Sequence, residues 1–337
     1  MRKKHFLFAS VLALLCGSSA LHAQDFKLTS SGYFKNQGVD IMAFDDIYPE
    51  GHQGGVCIIM NGHRVATNGD IRLEATPGQW QPVPKQLDRK LGDNSITATL
   101  CYPDSSRHLT GFNPMIYPDL HLIYTVNVES KGKNIEVTVD LDRPIPQEFI
   151  GKVGFNLEFF PGSLFGKPWI MDGQSGIFPQ QPNSPLMTTQ PNYLHTGNYH
   201  DGKKSLADMD KLIGKGYSPI VADDIISEPY AKGRKFTSRP DDPYNKVTIE
   251  SLSGDLQLFD GRMNHNNGWF VLRSNIKPGV TKGAVKWIIT PNVVADWMYQ
   301  PVIQTSQIGY HPAQDKEAVI EMDIRDNRKE TAQIIRI

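Results

Sequence analysis

The sequence predicts an all-β protein organised as a large β-sandwich, and three observations predict it. Apolar residues recur with a period of two along most of the chain, Gly, Pro, Asn and Asp cluster between those runs, and only one segment has helical spacing. Many short alternating strands separated by turn residues are the pattern of two packed sheets.

The clearest element is a hairpin. Within 121–128, Leu122, Tyr124, Val126 and Val128 fall on one face; Lys131-Gly132-Lys133-Asn134 supplies a turn, and 135–141 resumes the alternation. Alternation sends one set of side chains inward and the other towards water. Shorter runs at Val56–Met60, 153–160, 246–252, 256–259, 268–273 and 284–290 complete the expected strands. The helix candidate is 205–213, where Leu206, Met209, Leu212 and Ile213 follow a capping Ser205. The stretch 173–198, rich in Pro, Gln, Asn and Gly, reads as a long loop.

The first 23 residues have the order of an export signal. Arg2, Lys3 and Lys4 precede an apolar run, and Leu21-His22-Ala23 offers a small-residue cleavage site before Gln24. Cys16 ends the apolar run, but bulky Leu15 stands where lipoprotein processing uses a small residue, so simple cleavage is expected. No later run approaches the ~20 apolar residues of a spanning helix, so no integral membrane segment is expected in the mature chain. Losing the leader takes the 35 basic residues to 32 against 36 acidic ones. That balance gives no footprint for nucleic acid. Cys57 and Cys101 remain, as one disulfide or as two buried thiols, and two cysteines alone make no structural zinc site.

A composition change near Pro301 divides 24–300 from 301–337. The second unit opens with Val302-Ile303-Gln304-Thr305-Ser306-Gln307-Ile308-Gly309-Tyr310-His311-Pro312, followed by Lys316-Glu317-Ala318-Val319-Ile320. This is similar to the opening of the immunoglobulin-like domain that precedes the catalytic barrel in many family 9 glycoside hydrolases. Gln307, Gly309, Tyr310, Pro312, Lys316 and Ala318 match that family's pattern, while Ser306 stands where it usually has Asn. The segment 25–300, with Phe155-Asn156-Leu157-Glu158-Phe159-Phe160-Pro161 and Trp169-Ile170-Met171-Asp172-Gly173, resembles the extra N-terminal region of some exported bacterial members.

The resemblance implies a cellulase-type context, with β-glucan as the polysaccharide partner. It also implies that the catalytic barrel, with its Asp-x-x-Asp pair and distant Glu, lies outside these residues, since no Asp-Ala-Gly-Asp type motif occurs here. The leading expectation is a non-catalytic N-terminal part of such an enzyme. The alternatives are a stand-alone carbohydrate-binding module and an independent hydrolase using Asp172, Asp223 or Glu158.

For sugar contact the candidates are loop aromatics, because an aromatic face stacks on the C–H face of a pyranose. Trp169 leads, with Trp80, Tyr193 and Tyr199, and Asp172 as an acceptor for sugar hydroxyls; Trp269 and Trp287 read as core. No catalytic residue and no cofactor are expected. Calcium is the one ion considered, through Asp172, Asp223 and Asp260, although none of them has the spacing of a calcium loop. The acidic pairs Asp45-Asp46, Asp223-Asp224 and Asp241-Asp242 read as turn caps, and His195, His200 and His265 as loop residues.

Overall fold

The computed structural model describes residues 25–45, 54–74, 76–77, 84–102, 120–182, 227–263, 268–327 and 333. Strands β1 (Lys27–Leu28), β2 (Phe34–Asn36), β3 (Val39–Ala43), β4 (Val56–Met60) and β5 (His63–Leu73) come first. They are followed by β6 (Lys85–Leu91), β7 (Ser95–Cys101), β8 (Ile123–Lys131), β9 (Asn134–Leu141) and β10 (Val153–Phe159). Next are β11 (Pro168–Met171), β12 (Gln174–Ile177), β13 (Ala231–Gly233), β14 (Lys235–Ser238) and β15 (Val247–Ser251). Finally come β16 (Leu256–Asp260), β17 (Phe270–Asn275), β18 (Val285–Pro291), β19 (Val302–Gln304) and β20 (Val319–Glu321). The described residues form no α-helix, only short 3-10 turns. The leader, the helix candidate 205–213 and most of the Pro-rich loop lie outside them.

Two antiparallel nine-stranded sheets make the sandwich. The first runs β1-β2-β3-β4-β5-β10-β17-β16-β13, and the second β12-β11-β14-β15-β18-β9-β8-β7-β6. The expected hairpin is β8–β9, with Tyr124 opposite Leu141 and Val126 opposite Val139. It closes through Gly132 at φ +66°, a conformation glycine adopts without strain.

Side chains of both sheets interdigitate between them. Phe155 of β10 meets Trp287 of β18 edge-on at 5.0 Å, and Phe159 meets Phe236 of β14 at 5.8 Å. The Trp287 indole N–H, buried with its ring, donates to Ser274 Oγ at 3.0 Å, so the largest core side chain leaves no polar atom unsatisfied. Cys57 and Cys101 are free thiols on different sheets. Cys57 Sγ lies 3.0 Å from Thr67 Oγ1 and 3.1 Å from the Gly54 carbonyl.

Strands β19 and β20 pair only with each other and form a separate two-stranded sheet. Their side chains face water: Ile303 is 61 % and Val319 63 % exposed, and Ile324 beyond them 98 %.

Candidate functional site

The charged residues that the fold gathers most tightly lie on the first sheet. In β10, Phe155 and Leu157 point into the sandwich, so Asn156 and Glu158 project from the opposite face. Across the ladder, Asn156 stands beside Asp70 of β5 and Arg273 of β17, while Gly154 stands beside Arg72. Asp70, Arg72, Glu74, Asn156, Glu158 and Arg273 are all buried. Together they form a buried polar layer on the first sheet.

Local backbone features make room for it. Between β5 and β10 the register slips, from Asn156 opposite Asp70 to Glu158 opposite Thr67. Asn68 sits in the slip at φ +55°, and its amide donates to Glu158 Oε2 at 2.7 Å. A bulge of this kind re-aims a side chain that regular alternation would have placed elsewhere. Gly154 is required for a different reason: a Cβ there would lie 2.7 Å from Arg273 Nε and 2.8 Å from the Ser274 carbonyl.

Arg273, 1 % exposed, holds the centre. Its guanidinium donates to Glu74 Oε1 (3.2 Å), Asn156 Oδ1 (3.3 Å) and Asn275 Oδ1 (2.7 Å), and to the carbonyls of Glu74 and Lys152 (both 3.0 Å). Asn156 completes the ring by donating to Glu74 Oε1 at 2.5 Å. Arg72 is buried alongside, and its Nε has no hydrogen-bond partner among the described residues.

Two tyrosines join the cluster, Tyr124 of β8 and Tyr102, which directly follows β7. Tyr124 donates to Asp70 Oδ1 at 2.9 Å, and Tyr102 to the Ile71 carbonyl at 2.9 Å. Burial pushes the Asp70 carboxyl up to about 6, against the pull of Arg72. It pushes Glu74 up to about 7, against Arg273 and Arg72. The tyrosine hydroxyls are driven well above their usual range by the same burial. Such carboxylates suit proton binding. Their bonds, however, run to the protein itself, and a group engaged in this way holds strands together.

The predicted sugar-contact residues fall elsewhere. Trp169, expected in a loop, stands in β11 at 6 % exposure. It pairs with Ser238 beside Met171–Phe236, whose Phe236 meets Phe159 of the opposing sheet, so its ring faces the sandwich interior. Its opposite neighbour on β12 is Gly176, where a Cβ would come within 2.5 Å of the indole. The loop expectation is thus corrected. Pro168 starts a strand here, and a ring that covers a glycine and is buried has little face to offer a sugar.

Asp172, in the exposed turn after β11 at φ +45°, accepts the backbone N–H groups of Arg234 and Lys235. Trp80, Tyr193, Tyr199 and Asp223 lie outside the described residues. Asp260 is buried against Arg262 (2.8 Å) and the Tyr230 hydroxyl (3.0 Å). Among the described residues no three His, Cys, Asp or Glu side chains are placed to hold a metal.

The motif after Pro301 folds into one tight loop between β19 and β20. Gly309 takes φ +80°. The Tyr310 hydroxyl accepts from the Ser306 backbone N–H (3.2 Å) and donates to the Glu317 carbonyl. The Lys316 ammonium donates to the carbonyls of His311 (3.2 Å), Pro312 (2.7 Å) and Gln314 (2.5 Å). Ser306 contributes its backbone to the Tyr310 contact, so the departure from Asn leaves that contact in place.

No protein-family profile and no curated protein matches the chain. Among solved structures it is similar to the Slr1438 protein of Synechocystis sp. PCC 6803, at 9 % identity and TM-score 0.35, covering 86 % of this chain and 100 % of that one. It is also similar to the mutarotase-like protein YeaD of Salmonella typhimurium (8 %, TM-score 0.36, covering 79 % and 96 %). A third is the heparan sulfate lyase HepC of Pedobacter heparinus (11 %, TM-score 0.29, covering 86 % and 40 %). At so low an overlap none of these likenesses bears on what the chain does.

Proposed function

We propose that the chain is the glycan-associated, non-catalytic sandwich of an exported family 9 type glycoside hydrolase acting on β-glucan. The observation that carries this reading is the loop between β19 and β20. Tyr310, Lys316 and Gly309, three residues of the motif on which the resemblance rests, are the ones that knit that loop together. The exposed apolar strands on either side of it have the character of a sheet that packs against further structure. The acidic cluster supports the non-catalytic part of the proposal. Inverting hydrolysis needs two carboxyl groups about 6.5–9.5 Å apart with room for water between them, whereas Glu74 and Glu158 are buried and hydrogen-bonded to Arg273, Asn156 and Asn68. Asp172 stands on the other sheet, bonded to backbone.

The test is retention of the purified chain on insoluble β-glucan. The proposal expects sedimentation with the polysaccharide that soluble β-glucan competes away. A chain that stays in the supernatant with every β-glucan offered would overturn the glycan reading.

A further inference from the structure

At one end of the first sheet, the turn between β2 and β3 meets the segment that follows β18. The Trp297 ring lies against Gly38, which takes φ +66°, and a Cβ at that position would come within 2.8 Å of the indole. Three side chains fix the backbone of this segment. Gln37 donates to the Trp297 carbonyl at 2.6 Å, Arg325 donates to the same oxygen, and Asp323 accepts from the Tyr299 N–H at 3.0 Å. Together they frame a cleft of about 410 Å³ whose lining includes Lys35, Gln37, Asp40, Trp297, Asp323 and Arg325. Small-molecule sites span roughly 300–1,000 Å³.

Three features of the cleft point to one ligand chemistry. Trp297 is only half-buried, unlike Trp287 and Trp169, so part of a large apolar ring borders the opening. Asp40 is partly exposed in the wall of the cleft, and its carboxylate carries an oxygen, the buried Oδ1, that accepts no hydrogen bond among the described residues. Such an acceptor is destabilising unless something donates to it, and the loss of hydration raises the Asp40 carboxyl pKa even against the pull of Lys35. The charges also balance, with Lys35 and Arg325 against Asp40 and Asp323. A uronate or a phosphate would find no excess of positive charge here, whereas a neutral sugar needs none.

We infer that this cleft is a subsite for a neutral pyranose unit of a glycan chain. Trp297 is the stacking platform, Asp40 the acceptor for a sugar hydroxyl, and Lys35 a donor at the rim. The inference rests on the reading of the chain as glycan-associated and gives that reading a location. It is tested by affinity electrophoresis of the full chain in gels containing mixed-linkage β-glucan, with melting temperatures recorded in parallel.

Asp40→Asn keeps the shape of the side chain while changing the acceptor, and it should weaken retardation roughly tenfold at an unchanged melting temperature. Trp297→Ala should abolish retardation and Trp297→Phe should restore part of it. If Trp297→Ala fails to fold, Asp40→Asn decides the matter. Retardation of the wild type that both Asp40→Asn and a folded Trp297→Ala leave unchanged would overturn the subsite while leaving the glycan reading intact. Absence of wild-type retardation would overturn both.

Discussion

In the second sheet, β8 and β9 send Tyr124, Val126, Val137 and Val139 inward and leave Thr125, Asn127, Glu136 and Thr138 half-exposed. In the first sheet, β10 buries Phe155 and Leu157 on one face and Asn156 and Glu158 on the other. The same alternation of apolar and polar residues therefore has two outcomes. A polar residue on a strand signals water only where that face of the sheet is wet. On a covered face it must find partners within the protein, since a buried charge without a partner costs far more than a buried methyl. The first sheet meets that demand with two arginines, several carboxylates, a bulge and a glycine.

The sharpest way to break this comparison is to remove a charge from each sheet. Arg273→Met removes the central donor to Glu74, Asn156 and Asn275 from the interior and should cost about 3–5 kcal/mol in urea unfolding. Lys286→Met, which removes a 3.9 Å pair with Glu136 on the wet face, should change stability by no more than about 0.5 kcal/mol. Equal losses would dissolve the distinction.

The position of Trp169 supplies the next largest effect. Its ring faces the sandwich interior, so Trp169→Ala should destabilise by about 3 kcal/mol. A variant that melts with the wild type would return this residue to the surface.

Acidity should separate the sheets more gently. The folded values of Asp70 and Glu74, about 6 and about 7, lie above the ordinary values of 3.8 and 4.5, so the folded state binds these protons more tightly than the unfolded state does. Their contribution to stability is fully present below about pH 4 and is lost as the pH rises through 6 to 7. The urea midpoint should therefore fall between pH 5 and pH 8, and Asp70→Asn should flatten part of that fall. A midpoint that rises over the same interval would contradict the assignment.

The sequence was legible wherever apolar residues recur along a strand, whether its other face is wet or covered. The β8–β9 hairpin, β4, and the runs that became β10 and β15 to β18 were visible as alternation. β5 was not visible, because His63, Arg64, Thr67, Asn68, Asp70 and Arg72 leave no apolar period in a strand that is nevertheless largely buried. β11 was missed because Gly166, Lys167 and Pro168 carry turn chemistry right up to its start. The polar cluster left one faint mark, the single arginine inside the otherwise apolar run Phe270-Val271-Leu272-Arg273. A charge in that setting calls for a buried partner, but it does not say which strand supplies it. That depends on registers, Asn156 opposite both Asp70 and Arg273, which only the folded sheet specifies.

The central claim is that the buried carboxylates bind the strands of the first sheet together and do not cleave sugar. The most direct measurement is release of reducing ends from mixed-linkage β-glucan by the purified chain and by its Glu158→Gln variant. The account predicts no release above the no-protein control from either chain. Turnover by the wild type that Glu158→Gln abolishes while the fold is retained would contradict it.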